Sequence, residues 1–452
     1  MADDRATKLA KVGKLRRQLP HVSQSALSAI LAEAKREPLP SISRRADIRE
    51  ARDAVAQQMT GYGRVQQQIP LARDDGTVWL LEMQAVLPML VVTARDSTMF
   101  SNLMYTTACR VGMPTPEKPW RMILYADEVD PGNPLASSHG RKFWAVYWSI
   151  AEFGYLALSH EELWFTCLTA RTDEVKKLNG GISAVVAGFL RHTFMGRFNV
   201  ATAGAQLELS GAHAQPFRLF MKFAVVIADG DAIRAINCSR GAGGEMPCIC
   251  CYNVKNAKSK ELPYAAPGQF ITHTELDVSK LRFHTDESVF ILADRLQGQQ
   301  PTQGVTQFKD TQKRVGLTLS SCALLWDLPM RNIFKPISCT MYDWMHCYMI
   351  DGVCSVEIGS LMASLKPHGI TYEDIHVFLQ HWHWPSRFGT STASGKQRCG
   401  ADHAKKWYKE VKFKPSASEM LSLYAVFAFF FTHVCRVPPA CAAGVTLFFA
   451  SV

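Results

Sequence analysis

Two apolar runs of β-strand type each end in an aspartate, and this pair of junctions constrains the fold more than any other feature of the chain. The run MILYA leads into Asp127, and the run FAVVIA leads into Asp229, 102 residues further on. A single strand that ends in an acidic residue is common. Two such strands bring two carboxylates together if they lie side by side in one sheet.

The order of the predicted elements makes these two strands neighbours. Three strands are predicted in succession, with turn signals between them, at 121–126, 141–150 and 163–170. Their short connections favour antiparallel pairing. A helix that begins at Thr172, with Gly180 and Gly181 as its weak point, and a fourth strand over 219–228 follow. This is the order of the ribonuclease-H-like fold, whose first and fourth strands lie side by side, so we expect an α/β protein with such a mixed sheet.

Converging carboxylates suit hard divalent cations. Two Mg²⁺ or Mn²⁺ ions can activate an attacking oxygen and stabilise a leaving oxygen in phosphodiester cleavage, and both ions prefer carboxylate ligands. In this interpretation Asp127 bridges the two ions, Asp229 binds one, and Glu419, at the start of an apolar helix, binds the other. A structural interpretation stays open for each residue. Asp127 and Asp229 precede turns, Asp231 is a rival for the role of Asp229, and Ser416 forms a capping box with Glu419.

The cysteines indicate one zinc site rather than a disulfide framework. There are 13 of them, an odd number, scattered through apolar stretches of a chain that begins without a signal-peptide pattern, which favours a reducing compartment. Cys248 and Cys251 have the two-residue gap that lets one turn bind zinc through both sulfurs. His346 is a suitable third ligand, and Asp351 is a candidate fourth. A redox pair and buried structural cysteines remain alternatives.

The basic balance of the chain favours a polyanionic partner. The net charge is +10 and the pI is near 9.0, which suits nucleic acid. Segment 386–415 carries eight Lys and Arg against two acidic residues, with aromatic residues among them. Such a segment can bind a DNA backbone, and a solvated basic loop is the alternative. Six of its cations are predicted to contact DNA phosphates: Arg398, Lys405, Lys406, Lys409, Lys412 and Lys414.

Several motifs, in order along residues 80–435, together resemble a known family. They are WRMILYADEVDPGNPLASSHGRKFWAVYWSIAEFG, LSHEELWFT, IADGDA, RGAGGEMPCICCYNV, YDWMH and FKPSASEMLSLY. The chain resembles the transposases of Plavaka-type elements, which are similar to the CACTA group of cut-and-paste DNA transposons. The resemblance implies a ribonuclease-H-like fold with a large, mostly helical insertion before the last acidic residue.

The resemblance also implies an activity and a set of site residues. The activity is that of a DDE-type DNA transposase, an endonuclease and strand transferase that uses two Mg²⁺ (or Mn²⁺) ions and one structural Zn²⁺. The implied catalytic residues are Asp127, Asp229 and Glu419. The implied zinc ligands are Cys248, Cys251 and His346. The implied partners are double-stranded DNA, as transposon ends and target, and further copies of the chain in a nuclear homo-oligomer.

Four segments are predicted along the chain. A basic, helical amino-terminal arm covers 1–70, the first part of the catalytic core covers 71–251, and the helical insertion with the zinc-linked and basic segments covers 252–415. The catalytic helix and a truncated carboxyl end cover 416–452. Helical patterns inside the insertion include 286–296 and 341–365. The apolar run 420–434 is too short and too interrupted to span a bilayer, so no membrane partner is expected.

A second class of function stays open, a catalytically inactive DNA-binding protein derived from a transposase. The acidic triad favours the enzyme. The lack of an amino-terminal zinc-finger pattern and the 33 residues that follow Glu419 favour the inactive protein.

Overall fold

The computed structural model describes residues 31, 34, 45–130, 141–256, 269–272, 275, 277–349, 352–384, 398–442 and 445. The chain divides into two compact units, Met1–Met59 and Thr60–Val452. In the first unit, helix α1 covers Arg45–Ala56. Most of the predicted arm at 1–70 lies outside the described residues, and its last residues, from Thr60, belong to the second unit.

Ten of the thirteen strands in the described chain precede Asp229, and helices predominate after it. The strands are β1 Met59–Thr60, β2 Gly63–Arg64, β3 Gln66–Ala72, β4 Val78–Gln84, β5 Trp120–Val129, β6 Phe143–Ile150, β7 Phe165–Arg171, β8 Ala205–Glu208, β9 Pro216–Leu219, β10 Met221–Ala228, β11 Val254–Lys255, β12 Ile271–Thr272 and β13 Thr340–Tyr342. The further α-helices are α2 Val86–Asp96, α3 Thr98–Val111, α4 Tyr155–Leu158, α5 Thr172–Val175, α6 Gly181–Met195, α7 Gly230–Ile236, α8 Asp286–Gln299, α9 Val305–Val315, α10 Val353–Leu365, α11 Tyr372–His381, α12 Ala401–Glu410 and α13 Ala417–Phe429. Two π-helical turns cover Met345–Met349 and Phe430–Val434. Short 3₁₀ turns cover Ala151–Phe153, Glu161–Leu163, Gly211–His213, Gly241–Gly243, Val278–Lys280, Gln300–Thr302, Leu324–Trp326, Pro329–Asn332 and Lys366–His368.

One five-stranded mixed sheet organises the second unit. Its strand order is β13-β10-β5-β6-β7, with β6 antiparallel to both β5 and β7, and β10 parallel to both β5 and β13. The four strands predicted from the sequence are β5, β6, β7 and β10, and the first and fourth of them are neighbours as expected. The prediction of an α/β protein with a mixed sheet is therefore confirmed.

Two elements differ from the prediction. The single helix predicted from Thr172 is two helices, α5 and α6, because Gly180 and Gly181 have positive φ angles of 98° and 53° that interrupt it. The helical pattern predicted over 341–365 begins with strand β13, whose residues pair with the end of β10. Helix α10 starts only at Val353, after the first π-helical turn.

The two faces of the central sheet differ in burial. On β5, one face lies in the main hydrophobic core, where Trp120, Met122, Leu124 and Ala126 are buried. Successive residues of a strand point to opposite faces, so the other face carries Arg121, Ile123, Tyr125 and Asp127. Of these four, Ile123 is buried, whereas the three polar residues keep partial or full exposure. Functional side chains of β5 are therefore expected on this second face.

A second hydrophobic core lies in the helical region, defined as the described residues of Met345–Val434. Buried side chains of α10 to α13 and of the loop before α13 contribute to it, among them Ile358, Leu365, Tyr372, Trp407, Phe413 and Phe427. Gly359 lets the end of α12 approach α10, because a Cβ there would lie 2.5 Å from the carbonyl oxygen of Val411. In the described residues, segment 252–415 contains α8 to α12 and only three strands of two or three residues, so this segment is mostly helical.

One segment of the helical region meets a composition test for a membrane span. The most apolar stretch of Met345–His368 has a mean hydropathy of 1.2, and 56% of that stretch is buried inside the protein. A buried core helix passes the same test, so this finding favours neither location.

Candidate functional site

The acidic edge of the sheet, defined as Asp127, Asp229 and Asp343, has three carboxylates on or directly after three neighbouring strands. Asp127 lies in β5, and Asp229 follows the last residue of β10, the parallel neighbour of β5. Because Ile227 lies opposite Tyr125 in this register, Asp229 and Asp127 reach the same level of the sheet. Burial and the nearby Asp229 carboxylate raise the pKa of Asp127 above its ordinary value of 3.8. The structure therefore brings the two predicted aspartates together.

Between the two candidates after β10, Asp229 is the residue that faces Asp127. Asp229 is the N-cap of α7, where its Oδ1 accepts a 2.6 Å hydrogen bond from the backbone N–H of Ala232. Its second oxygen is left for other partners. Asp231 instead forms an ion pair with Arg234 one turn further on, and its side chain is 80% exposed. A capping role and a ligand role are thus compatible for Asp229.

Asp343 is a third carboxylate at this edge, and sequence reasoning missed it. It follows β13, and its backbone N–H donates a 2.8 Å hydrogen bond to the carbonyl of Ala228, directly before Asp229. The Tyr125 hydroxyl donates to its Oδ2 over 3.4 Å. Burial and the Asp343 charge raise the pKa of Tyr125, which keeps that hydroxyl protonated. The signal in the sequence was a third junction of an apolar strand with an aspartate, but the strand is only three residues long.

His346 belongs to the same edge. Its Nδ1 lies 2.8 Å from Oδ2 of Asp343, and its charge lowers the pKa of Asp127 against the larger effects that raise it. The backbone N–H of Met345 donates to the other oxygen of Asp343 over 3.0 Å, which fixes the carboxylate at the start of the π-helical turn. Asp343 thus orients the His346 ring and leaves Nε2 as the nitrogen for any further ligand.

Glu419 has a different set of contacts, inside the helical region. Its side chain is 4% exposed, and both carboxylate oxygens accept from Nε of Arg398, over 3.0 and 3.2 Å. The backbone N–H of Ser416 donates to Oε2 over 2.7 Å, so the capping box expected from the sequence is present. Helix α13 packs against the π-helical turn that carries His346, where the rings of Tyr348 and Tyr424 are 6.4 Å apart. The helix of Glu419 therefore contacts the turn that carries His346, while the Glu419 carboxylate binds an arginine.

The cysteine turn, defined as Cys248, Cys250 and Cys251, holds three thiols in contact. A hydrogen bond from the Cys250 thiol, together with bonds from nearby backbone N–H groups and Cys251, lowers the pKa of Cys248 to about 6. Donating that hydrogen bond raises the pKa of Cys250, and burial raises the pKa of Cys251. The turn thus favours one thiolate beside two thiols, which is the donor type that zinc prefers.

The cysteine turn lies near β13. Burial and the neighbouring Cys250 and Cys248 raise the pKa of Tyr342, the residue before Asp343. Asp351, the candidate fourth zinc ligand, lies outside the described residues. Among the described residues, no group of three or more His, Cys, Asp or Glu side chains is arranged to hold a metal ion.

The six cations predicted to contact DNA divide into two groups. Arg398 pairs with Glu419, Lys414 pairs with Glu410 over 3.1 Å, and Lys412 is half-buried. The other three cations are exposed on α12: Lys405, Lys406 and Lys409. The Nζ of Lys406 lies 5.5 Å from the centre of the Trp407 ring. Among the described residues of this segment, the exposed face of α12 thus offers three lysines to a polyanion.

The chain was also compared with known proteins. Its acidic edge and its cysteine turn are built from residues of the motifs IADGDA, RGAGGEMPCICCYNV and YDWMH. No protein-family model matches the chain, and no curated protein matches it either.

Proposed function

We propose that the chain is a DDE-type DNA transposase with a ribonuclease-H-like core, which cleaves phosphodiesters and transfers strands. The observation that carries this proposal is the alignment of Asp127 and Asp229 at the ends of two parallel, adjacent strands. Hard divalent cations need carboxylates that converge in this way. A purely structural role does not account for placing two like charges at one level of a sheet, since the pair raises the pKa of Asp127.

The sheet topology supports the fold part of the proposal. Numbered in chain order, its strands are arranged third, second, first, fourth and fifth, because β7, β6, β5, β10 and β13 follow one another across the sheet. The first three strands are antiparallel, and the fourth lies beside the first. These are two features expected of the ribonuclease-H-like fold. The mostly helical segment between β10 and α13 agrees with the large insertion that the family resemblance implies.

The acidic edge has the donor set for two hard cations. When bound, two Mg²⁺ or Mn²⁺ ions supply activation of the attacking oxygen, first of water and then of a freed 3′ hydroxyl, and stabilisation of the leaving oxygen. Asp127, on β5 between β10 and the antiparallel strand β6, would bind both ions. Asp229 keeps one oxygen available beside its capping bond. Glu419 would complete the triad after its carboxylate leaves Arg398.

The proposal also includes one structural Zn²⁺ bound by Cys248, Cys251 and His346. The Cys248 thiolate supports it, because a thiolate rather than a thiol binds zinc. The contact between His346 and Asp343 supports it too, since a zinc-bound histidine usually donates its other ring N–H to a carboxylate. Such a site would tie the loop after α7 to the segment after β13. Both segments adjoin the acidic edge.

Double-stranded DNA is the proposed substrate, as transposon ends and target. The exposed lysines of α12 are proposed to contact its phosphates, and the net charge of +10 supports a polyanionic partner. A homo-oligomer in the nucleus is proposed on the family resemblance alone.

A catalytically inactive, transposase-derived DNA-binding protein is the second candidate. One observation favours it: the Glu419 carboxylate is already neutralised by Arg398 and occupied by its capping box. In this candidate the protein binds DNA through its basic surfaces but does not cleave it.

Cleavage of DNA that carries the sequences flanking the gene distinguishes the two candidates. The wild-type chain should nick this DNA only with Mg²⁺ or Mn²⁺, and Asp127→Asn should slow nicking on the order of 1,000-fold, because metal-supplied charge stabilisation is worth several kcal/mol. The matched control is Asp231→Asn, which removes an exposed carboxylate from the same turn as Asp229. DNA binding without nicking by the wild type favours the inactive protein, and equal nicking by Asp127→Asn contradicts the assigned site.

A further inference from the structure

An open pocket of about 610 Å³ lies at the opposite end of β5 and β10 from the acidic edge. The end of α3, the loop that follows it, the first residues of β5, the turn after β6 and the start of β10 form its walls. Charged side chains make up much of its lining: Arg110, Glu117, Lys118, Arg121, Glu152 and Lys222.

The pocket has an excess of uncompensated positive charge. Arg121 is neutralised by Glu152, with Nε 2.8 Å from Oε1. Arg110 donates instead to two backbone carbonyls, including that of Phe153 over 2.9 Å, and these carry no net charge. Within the described part of the chain, Lys118 and Lys222 have no ion-pair partner, and Glu117 is the one remaining carboxylate of the lining. Three cations thus share the pocket with one uncompensated acid.

The ligand that this lining fits is a phosphate group. Cations on several elements around an open pocket attract a polyanion and hold it through charge-assisted hydrogen bonds. The one aromatic residue of the lining, Trp120, is 3% exposed and donates from its ring N–H to the carbonyl of Gly112, so it cannot stack on a base. Contact with a sugar–phosphate backbone is therefore favoured over recognition of a base.

The register of the sheet connects this pocket to Asp127. Arg121 and Asp127 lie six residues apart on β5, and the alternation of side chains places both on the same face of the sheet. Lys222 lies opposite Arg121 on β10. Six residues of extended strand span roughly 20 Å at about 3.3 Å each. A duplex rises about 3.4 Å per base pair, so this span corresponds to about six base pairs.

We propose that the pocket of Arg110, Lys118 and Lys222 binds backbone phosphates of the DNA substrate, about six base pairs from the phosphodiester held at Asp127. This inference rests on the proposed function, because it needs DNA at the acidic edge. It adds a second DNA-contact surface, separate from the lysines of α12. It also sets a distance between the phosphodiester that is cleaved and the phosphates that the pocket binds. Free phosphorylated molecules share the same chemistry and are the alternative ligand.

The test is the salt dependence of affinity for duplex DNA in the full-length protein. Lys118→Ala with Lys222→Ala should lower the slope of log affinity against log salt by about 1.8, since each neutralised phosphate contributes about 0.9. Arg110 is left in place because it holds backbone carbonyls of the turn after β6. The control pair Lys309→Ala with Lys313→Ala removes the same charge from the exposed side of α9 and should leave the slope unchanged.

Three outcomes overturn the inference. The first is an unchanged slope with unchanged binding of inorganic pyrophosphate in the pocket variant, and the second is an unchanged slope with loss of pyrophosphate binding, which assigns the pocket to free phosphorylated molecules. The third is an equal loss of slope in the control pair. The readout is independent of cleavage. If the wild-type protein does not cleave DNA but the pocket variant has a lower slope, the transposase proposal is contradicted. If the wild-type protein cleaves DNA and the pocket variant has an unchanged slope, only the pocket proposal is contradicted.

Discussion

The acidic edge of the sheet and the helical region around Glu419 differ in how far they stabilise the negative charge of a carboxylate. At the acidic edge, strand register places Asp127 and Asp229 at one level, and their mutual repulsion contributes to the raised pKa of Asp127. In the helical region, Glu419 is buried, but Arg398 and the capping box stabilise its charge. An uncompensated pair of carboxylates is a cost to the fold that a bound cation removes. A compensated carboxylate stabilises the fold and has less to gain from a metal.

This contrast defines the step on which the proposed activity depends. If Glu419 is the third metal ligand, metal or DNA must displace Arg398 from it. If Glu419 is only structural, Asp343 is the third carboxylate available among the described residues of the edge.

Removal of Arg398 should destabilise the protein most. Arg398→Met leaves the Glu419 carboxylate buried without a cation, and the free energy of unfolding should fall by about 2–3 kcal/mol. This is less than the about 3–5 kcal/mol of a fully buried pair, because Arg398 keeps about a third of its exposure. Chemical denaturation with urea measures it.

The control for this variant is Lys405→Met, on the exposed face of α12, which should change stability by less than about 0.5 kcal/mol. A double variant tests whether the buried charge of Glu419 causes the loss of stability. Arg398→Met with Glu419→Gln should recover part of the loss, since no charge then remains buried. Equal stability of the wild type and Arg398→Met would mean that Glu419 is not held by this ion pair in solution.

Asp343→Asn should weaken zinc binding by about 10–100-fold, because the carboxylate that orients His346 is lost. Competition with a chelator measures this without any need for DNA cleavage. The control Asp294→Asn removes an aspartate that pairs with Arg331 elsewhere in the insertion, and zinc affinity should not change. Unchanged zinc affinity in Asp343→Asn, together with slower cleavage, would mean that His346 acts at the acidic edge and is not a zinc ligand.

The two aspartates Asp127 and Asp229 could be predicted from the sequence as neighbours, for a physical reason. Asp127 and Asp229 each follow a long apolar run, and short connections between strands limit how those runs can pair. The capping box of Ser416 and Glu419 was also predictable, because it is a contact between residues three apart. Signals of this kind are local, and local patterns are visible in one chain.

The contacts that were missed are not local. Strand β13 is three residues long and pairs with residues of β10 that lie 114 positions earlier, with Val226 opposite Thr340 and Ala228 opposite Tyr342. The sequence around it has a helical pattern, which concealed the strand. Asp343 could not be assigned to the acidic edge without that pairing. The ion pair of Arg398 with Glu419 spans 21 residues and depends on how the segment before α12 meets the start of α13. Neither spacing nor composition specifies such contacts.

The smallest expected effect has the opposite sign to that of Arg398→Met. Asp127→Asn should raise the free energy of unfolding by about 0.5 kcal/mol at neutral pH and low salt, a small value because the half-exposed carboxylate is screened by solvent. The reason is that burial and Asp229 raise the pKa of Asp127 above 3.8, so ionisation costs free energy in the folded state.

The pH dependence gives this last prediction its test. A group whose pKa is raised on folding favours the folded state at low pH, and that contribution is lost as pH rises through the folded-state pKa. The gain from Asp127→Asn should therefore be absent below pH 3.8 and develop above it. Asp75 is the matched control: its hydrogen bonds with Thr77 lower its pKa, so Asp75→Asn should give no gain at neutral pH. Thermal unfolding across pH measures both variants. A gain from Asp127→Asn that persists below pH 3.8 would have to come from packing, and the acidic edge would then not be an uncompensated pair.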